Sequence, residues 1–150
     1  MPHHHFLLFL HLLAASVWIG GHLVLALSHL PAAIRENKKE IVLNFQARFE
    51  RVGMPSLIVL VITGVAMAYD YNTGIDHWFS FSNPVERVVS LKLALLGVTL
   101  GLAILANKKI LPHFKTTGKF AGVAALIISV SIIGIVMAFL GSSIRFGGIF

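Results

Sequence analysis

Four long apolar runs separated by short polar stretches set the pattern of this chain. Each approaches the ~20 residues that carry a helix across ~30 Å of hydrocarbon. The first covers residues 6–27 and is closed by Leu30-Pro31 and a polar stretch from Arg35 to Glu40. The second covers 53–70, after a helical approach containing Phe45, Arg48, Phe49, Glu50 and Arg51, with Pro55 placed to kink the junction. The third, 86–110, opens on Asn83-Pro84-Val85-Glu86. There Asn83 suits a cap, Pro84 the first turn and Glu86 the positive end of the helix dipole. Lys108-Lys109 and Leu111-Pro112 close it, and the fourth run covers 120–140. Tyr69, Tyr71, Trp78, Phe79 and Phe81, between the second and third runs, suit an interfacial belt. The pattern predicts an all-α fold, an integral membrane four-helix bundle forming one domain over residues 1–150.

Charge gives the bundle a direction. Arg35, Lys38, Lys39, Arg48 and Arg51 lie between the first two spans, and Lys108, Lys109, Lys115 and Lys119 between the last two. The opposite side has only Arg87 and Arg145, with Lys92 inside a span. Basic loops stay in the cytoplasm, so both termini are expected on the outer (periplasmic) side of a bacterial cytoplasmic (inner) membrane. Topology thereby accounts for the net charge of +6, and no nucleic acid is called for. With 57% hydrophobic and 12% charged residues and a mean hydropathy of +0.86, the composition belongs in lipid. Cysteine is absent, which excludes disulfides and thiolate metal sites. Ala14-Ala15-Ser16 superficially resembles a processing site, but no basic residue precedes the apolar run and it continues through Leu27, so the first helix reads as retained. Walker A and Ser-His-Asp contexts are missing, which argues against nucleotide-binding and hydrolase classes.

Histidine supplies the candidate chemistry. His11, His22 and His29 fall on one stripe of the first helix, the steps between them turning ~1100° and ~700°, each within ~20° of whole turns. Histidine in a membrane span costs free energy and usually faces a protein interior or an aqueous path. Sorted by depth, His3, His4, His5, His11, His77, Met67 and Met137 lie toward the outer side, and His22, His29, His113 and Met54 toward the cytoplasm. Imidazole suits copper, zinc and iron, and thioether favours Cu(I), so two such groups are what a metal relay requires. The plainer reading makes each Met core filling and His29 and His113 solvated boundary residues. If Met1 is removed, Pro2-His3-His4 puts a histidine in the third place of a square-planar Cu(II) or Ni(II) chelate; with Met1 retained, Pro2 lacks the needed amide. A purification-tag remnant is the other source of His3–His5. Lys92 stands ~12 Å below its helix start, near the depth of His11. There it snorkels outward, meets an anionic group such as a haem propionate, or takes part in proton movement.

Leu10-His11-Leu12-Leu13-Ala14-Ala15-Ser16-Val17-Trp18-Ile19-Gly20-Gly21 resembles the first-helix signature of the CopD family, the copper resistance D membrane domain. Leu60-Val61-Ile62-Thr63-Gly64-Val65 is similar to that family's LTGV segment. Leu91-Lys92-Leu93-Ala94-Leu95-Leu96, with Ala106-Asn107-Lys108-Lys109-Ile110-Leu111-Pro112, resembles its third helix. The Leu-His…Ser-Val-Trp pattern and the helix-borne lysine also resemble HemJ, a four-helix family that binds haem b and oxidises protoporphyrinogen; the HemJ Leu-Pro-Arg segment after the first tryptophan is not present. The resemblance implies copper handling, with His11 and Lys92 as the carried-over positions.

Three functions follow: copper binding or transfer through His and Met; a b-type haem protein with axial histidines; or an accessory bundle whose histidines hydrogen-bond across helices. Haem would pair His22 or His29 with His113, or His11 with His77, or the same histidine from two copies. The expected partners are the lipid bilayer, a second copy of the chain as homodimer, and a periplasmic copper protein or a quinone or other electron partner. Copper and haem b stand as the two cofactor alternatives.

Overall fold

The computed structural model describes residues 2–70 and 75–148; Met1 and Tyr71, both used above, lie outside them. Four helices are long and apolar enough to cross a membrane: α1 (His3–Glu36), α2 (Lys39–Asp70), α3 (Pro84–Thr117) and α4 (Phe120–Phe146). The described residues contain no strand. This is a multi-pass, all-α membrane chain. The start of α3 forms as its residues dictate: Asn83 accepts the Glu86 N–H at 2.8 Å, and Pro84 sits where no N–H is needed.

The helices overrun the apolar spans. Neither Leu30-Pro31 nor Leu111-Pro112 stops its helix. Proline cannot donate to the carbonyl four residues back, and in both places a wide π turn absorbs the mismatch. The turn spans Leu25–His29 in α1 and Ala106–Ile110 in α3. Leu30 N–H reaches back five residues to the Leu25 carbonyl, and Leu111 N–H does the same to Ala106. Each helix then continues to a left-handed residue, Asn37 (φ 52°) or Gly118 (φ 67°), where an L-residue other than Asn or Asp would be strained. Pro55 lies inside α2, which runs on around it.

These paired features expose an internal repeat. Leu30-Pro31 and Leu111-Pro112, Asn37 and Gly118, Val42 and Val123, and Gly53 and Gly134 are all 81 positions apart, from 30 to 111 through 53 to 134. The α1–α2 and α3–α4 hairpins are therefore two versions of one unit. Their shared core lies at the basic end, where Leu25, Leu30, Ala33, Val42, Leu111, Phe114, Val123 and Ile127 pack together. Three pairs of counterparts belong to it: Leu30 and Leu111, Ala33 and Phe114, and Val42 and Val123. At one of these pairs the repeat is unequal in size, alanine at 33 and phenylalanine at 114. Across the same end Lys39 Nζ donates to the Lys115 carbonyl.

Elsewhere the surface is apolar. Phe9, Leu27, Ile62, Ile104 and Phe139 are all more than half exposed, as lipid-facing side chains should be. Only 6% of the most apolar window of α1 is buried, against 33% in α4, although α1 packs on both α2 and α4.

Candidate functional site

His11 is anchored by a hydroxyl. Its Nδ1 lies 2.8 Å from Thr63 Oγ1 on α2. The single Thr63 proton is already committed, donated to the Val59 carbonyl at 2.6 Å. With its proton on Val59, Thr63 accepts from a His11 ring protonated at Nδ1. In that tautomer Nε2 keeps its lone pair. Fixing one ring nitrogen to present the other is how metal-binding imidazoles are oriented. Gly64 makes the approach possible, since a Cβ there would stand 3.2 Å from His11 Cε1.

The second hairpin repeats the arrangement with different chemistry. Lys92, the counterpart of His11 at the same spacing of 81 (11 to 92), lies over a glycine of its own partner helix. A Cβ at Gly141 would stand 3.3 Å from Lys92 Nζ. Among the described residues the ion pairs join His4 to Asp70, Lys38 to Glu36 and His77 to Glu86, and none includes Lys92. Each hairpin thus seats one polar side chain over a glycine of its second helix, His11 over Gly64 and Lys92 over Gly141. Met67 follows Gly64 by three positions and Met137 precedes Gly141 by four, so each shares the helix face of its glycine; both are half-buried.

Toward the basic end, His22 and His29 meet aromatic rings. His22 Nδ1 donates to the Trp18 carbonyl at 2.8 Å, which again leaves Nε2 unprotonated in the neutral ring. Its ring lies 4.4 Å from Trp18 and meets Phe49 edge-on at 5.4 Å. Phe49 occupies a notch between Gly21 and Gly53, where added Cβ atoms would come within 2.0 and 2.9 Å of the ring. Phe49 stacks on Phe45 at 5.8 Å, and His29 lies 4.3 Å from Phe45. Ser131 of α4 stands beside the adjacent backbone, its hydroxyl 2.8 Å from the Ile127 carbonyl of its own helix and 3.2 Å from the His22 carbonyl.

The other predicted ligands are scattered. His4 bonds Asp70 at 3.1 Å and links the ends of α1 and α2. His3 and His5 are exposed on the first turn of α1. A planar amide chelate there would require that turn to unwind. His77 is exposed, with Nδ1 3.5 Å from Glu86, whose carboxylate also takes the Ser80 hydroxyl and the Ser82 N–H. His113 is exposed on the far side of the Pro112 turn. No three His, Cys, Asp or Glu side chains converge on a metal position among the described residues. The bis-histidine pairings are not joined by any contact, since His11 turns to Thr63, His22 and His29 to aromatic rings, and His77 to Glu86. Gly20, Gly21, Gly64 and Gly101 are the glycines whose sequence context allows a ring or a neighbouring helix to approach closely; Gly21 and Gly64 each meet a ring, and Gly20 and Gly101 have nothing within 4 Å. Thr63, Gly141 and Phe49 escape a reading of the sequence, because a hydroxyl, a glycine or an aromatic ring in an apolar helix is ordinarily packing.

No curated protein and no solved structure matches the chain. The family model described as copper resistance protein D matches residues 43–144, taking in most of α2, all of α3 and nearly all of α4, and leaving α1 outside. Matched in this way over more than half of its length, this four-helix membrane chain belongs to the CopD family.

Proposed function

We propose that the chain binds Cu(I) inside its bundle and passes it across the bacterial cytoplasmic membrane, with the basic loops in the cytoplasm. One observation carries the reading. The Thr63 hydroxyl, which lies 2.6 Å from the Val59 carbonyl, holds His11 through Nδ1 at 2.8 Å, a pairing that presents Nε2 bare when the ring hydrogen is on Nδ1. The donor types fit this cargo. One oriented imidazole and two thioethers on the adjoining helix faces, Met67 and Met137, form a soft set without carboxylates, which suits Cu(I) better than zinc or magnesium. His22, with the same protonation pattern, is a second station ~16 Å further along α1, eleven residues at 1.5 Å each. His3–His5 at the terminal end extend the set outward, and a periplasmic copper protein and a second copy of the chain are the partners this route calls for.

The test is Cu(I) binding by purified protein under reducing conditions, in competition with a chromophoric chelator, beside His11→Ala and His22→Ala. His11→Ala is expected to weaken binding at least ~10-fold, the loss of one good ligand or its support. Unchanged binding in His11→Ala removes the proposal. A Soret band in protein from haem-replete cells, lost in either variant, would replace copper with haem b as the bound group.

A further inference from the structure

Arg51 stands at a telling depth. From Arg51 to Asp70 helix α2 advances nineteen residues, ~28 Å at 1.5 Å each, and no charge lies between them. That is close to the ~30 Å of a bilayer's hydrocarbon, so Asp70 marks one boundary and Arg51 the other, on the side of the basic loops. Arg51 is exposed, and among the described residues no ion pair includes it.

A groove of about 380 Å³ opens between α1 and α2 with Arg51 in its wall. Leu10, Ala14 and Val17 line one side, and Pro55 and Val59 the other. On α2 the lining runs from Arg51 to Val59, eight residues or ~12 Å, most of the ~15 Å depth of a single leaflet. Ser56, also in the wall, has its hydroxyl bonded to the Val52 carbonyl of its own helix at 2.8 Å. Arg51 is thus the charged group at the basic end of an otherwise apolar channel. The repeat does not carry these features over. At the spacing of 81, Ala14 and Ser56 correspond to the larger Leu95 and Met137, and Arg51 to the lipid-facing Ile132.

Such a groove suits an amphiphile with a tail of leaflet length and an anionic head. We infer that it binds one anionic phospholipid from the leaflet facing the basic loops, an acyl chain lying along Ala14 and Pro55 and the phosphate on the Arg51 guanidinium. A guanidinium meets a phosphate with paired N–H donors. Anionic lipids are characteristic of the cytoplasmic leaflet, where the proposed topology puts Arg51. A zwitterionic lipid brings the same chain and phosphate, but its own cation competes with the guanidinium, so headgroups without an amine are preferred.

The full chain in detergent is mixed with phosphatidylglycerol or phosphatidylcholine carrying the same acyl chains, and retained lipid is counted by native mass spectrometry. One phosphatidylglycerol per chain is expected, held at least ~5-fold more tightly than phosphatidylcholine, the worth of one basic residue at a membrane surface. Arg51→Gln should lose that preference and Arg51→Lys keep part of it. Arg48 is exposed and outside the groove, so Arg48→Gln should leave the preference intact. Ser56→Met should weaken both lipids by filling the groove with Arg51 still in place. Circular dichroism checks that each variant keeps its helix content. Equal wild-type affinity for the two lipids, or equal losses in Arg48→Gln and Arg51→Gln, overturns the inference and leaves only a diffuse basic surface. A lipid-free dimer that Ser56→Met dissociates overturns it too, giving the groove to a second copy.

Discussion

The two hairpins share a scaffold and divide the chemistry. Both pass a Leu-Pro pair by way of a π turn, both end on a left-handed residue, and both bury a valine five residues later. Where counterparts are identical, as at Leu30 and Leu111 or Val42 and Val123, they build the common core. Where they differ, one hairpin holds the candidate chemistry. His11 corresponds to Lys92, and Trp18, His22 and His29 to Thr99, Ala103 and Ile110. Sameness marks the positions that carry the fold, and difference marks those to test for function.

The comparison can be broken most severely at its asymmetric core pair. Phe114→Ala leaves alanine on both sides and is expected to cost about 3–5 kcal/mol by denaturant unfolding, as loss of a buried aromatic ring does. Adding Ala33→Phe should restore part of that loss if the two positions share one space; no recovery would argue against the paired arrangement. Next, Gly21→Ala drives a methyl into Phe49 and should cost about 1–3 kcal/mol by overpacking. Gly20→Ala, with nothing within 4 Å, should be tolerated.

Thr63→Val removes the acceptor for His11 Nδ1–H and should cost about 1–3 kcal/mol. Nitrogen NMR of labelled His11 should show the proton leaving Nδ1 in that variant and returning in Thr63→Ser. An unchanged ring in Thr63→Val would refute the assignment. At the loop caps, Gly118→Ala should lose about 1–2 kcal/mol by forcing an L-residue into the left-handed region, whereas Asn37→Gly should change thermal stability little. Smallest of all, Ser90→Ala should be neutral or stabilising by up to about 1 kcal/mol, because the fully buried Ser90 hydroxyl has no hydrogen-bond partner among the described residues.

Much of the fold is local and so was legible. An apolar run of membrane length and the Asn83 cap each depend on a few neighbouring residues. The helix ends were not, because Leu30-Pro31 and Leu111-Pro112 look like stops until the preceding π turns are seen. The site divides the same way. His11 and Lys92 stand out in an apolar run through the cost of burying them. Thr63 does not, since a threonine bonded to its own helix looks satisfied, and its role depends on the register between α1 and α2. The shared bearing of His11, His22 and His29 also implied one polar lining, yet the first meets a hydroxyl and the others meet rings. Helical angle reports direction and says nothing of what a neighbouring helix brings at each level.

The opposition of Ala33 and Phe114 has a consequence for how such a bundle can be made at all. Two identical hairpins meeting across an axis must present every residue twice. Two phenylalanines would crowd a core that now holds one, two alanines would leave it underfilled, and two lysines would bring two ammonium groups into one apolar bundle. Joining the units in one chain releases each position from its copy. An imidazole can then stand where the copy carries an ammonium, two chemistries on one repeated frame.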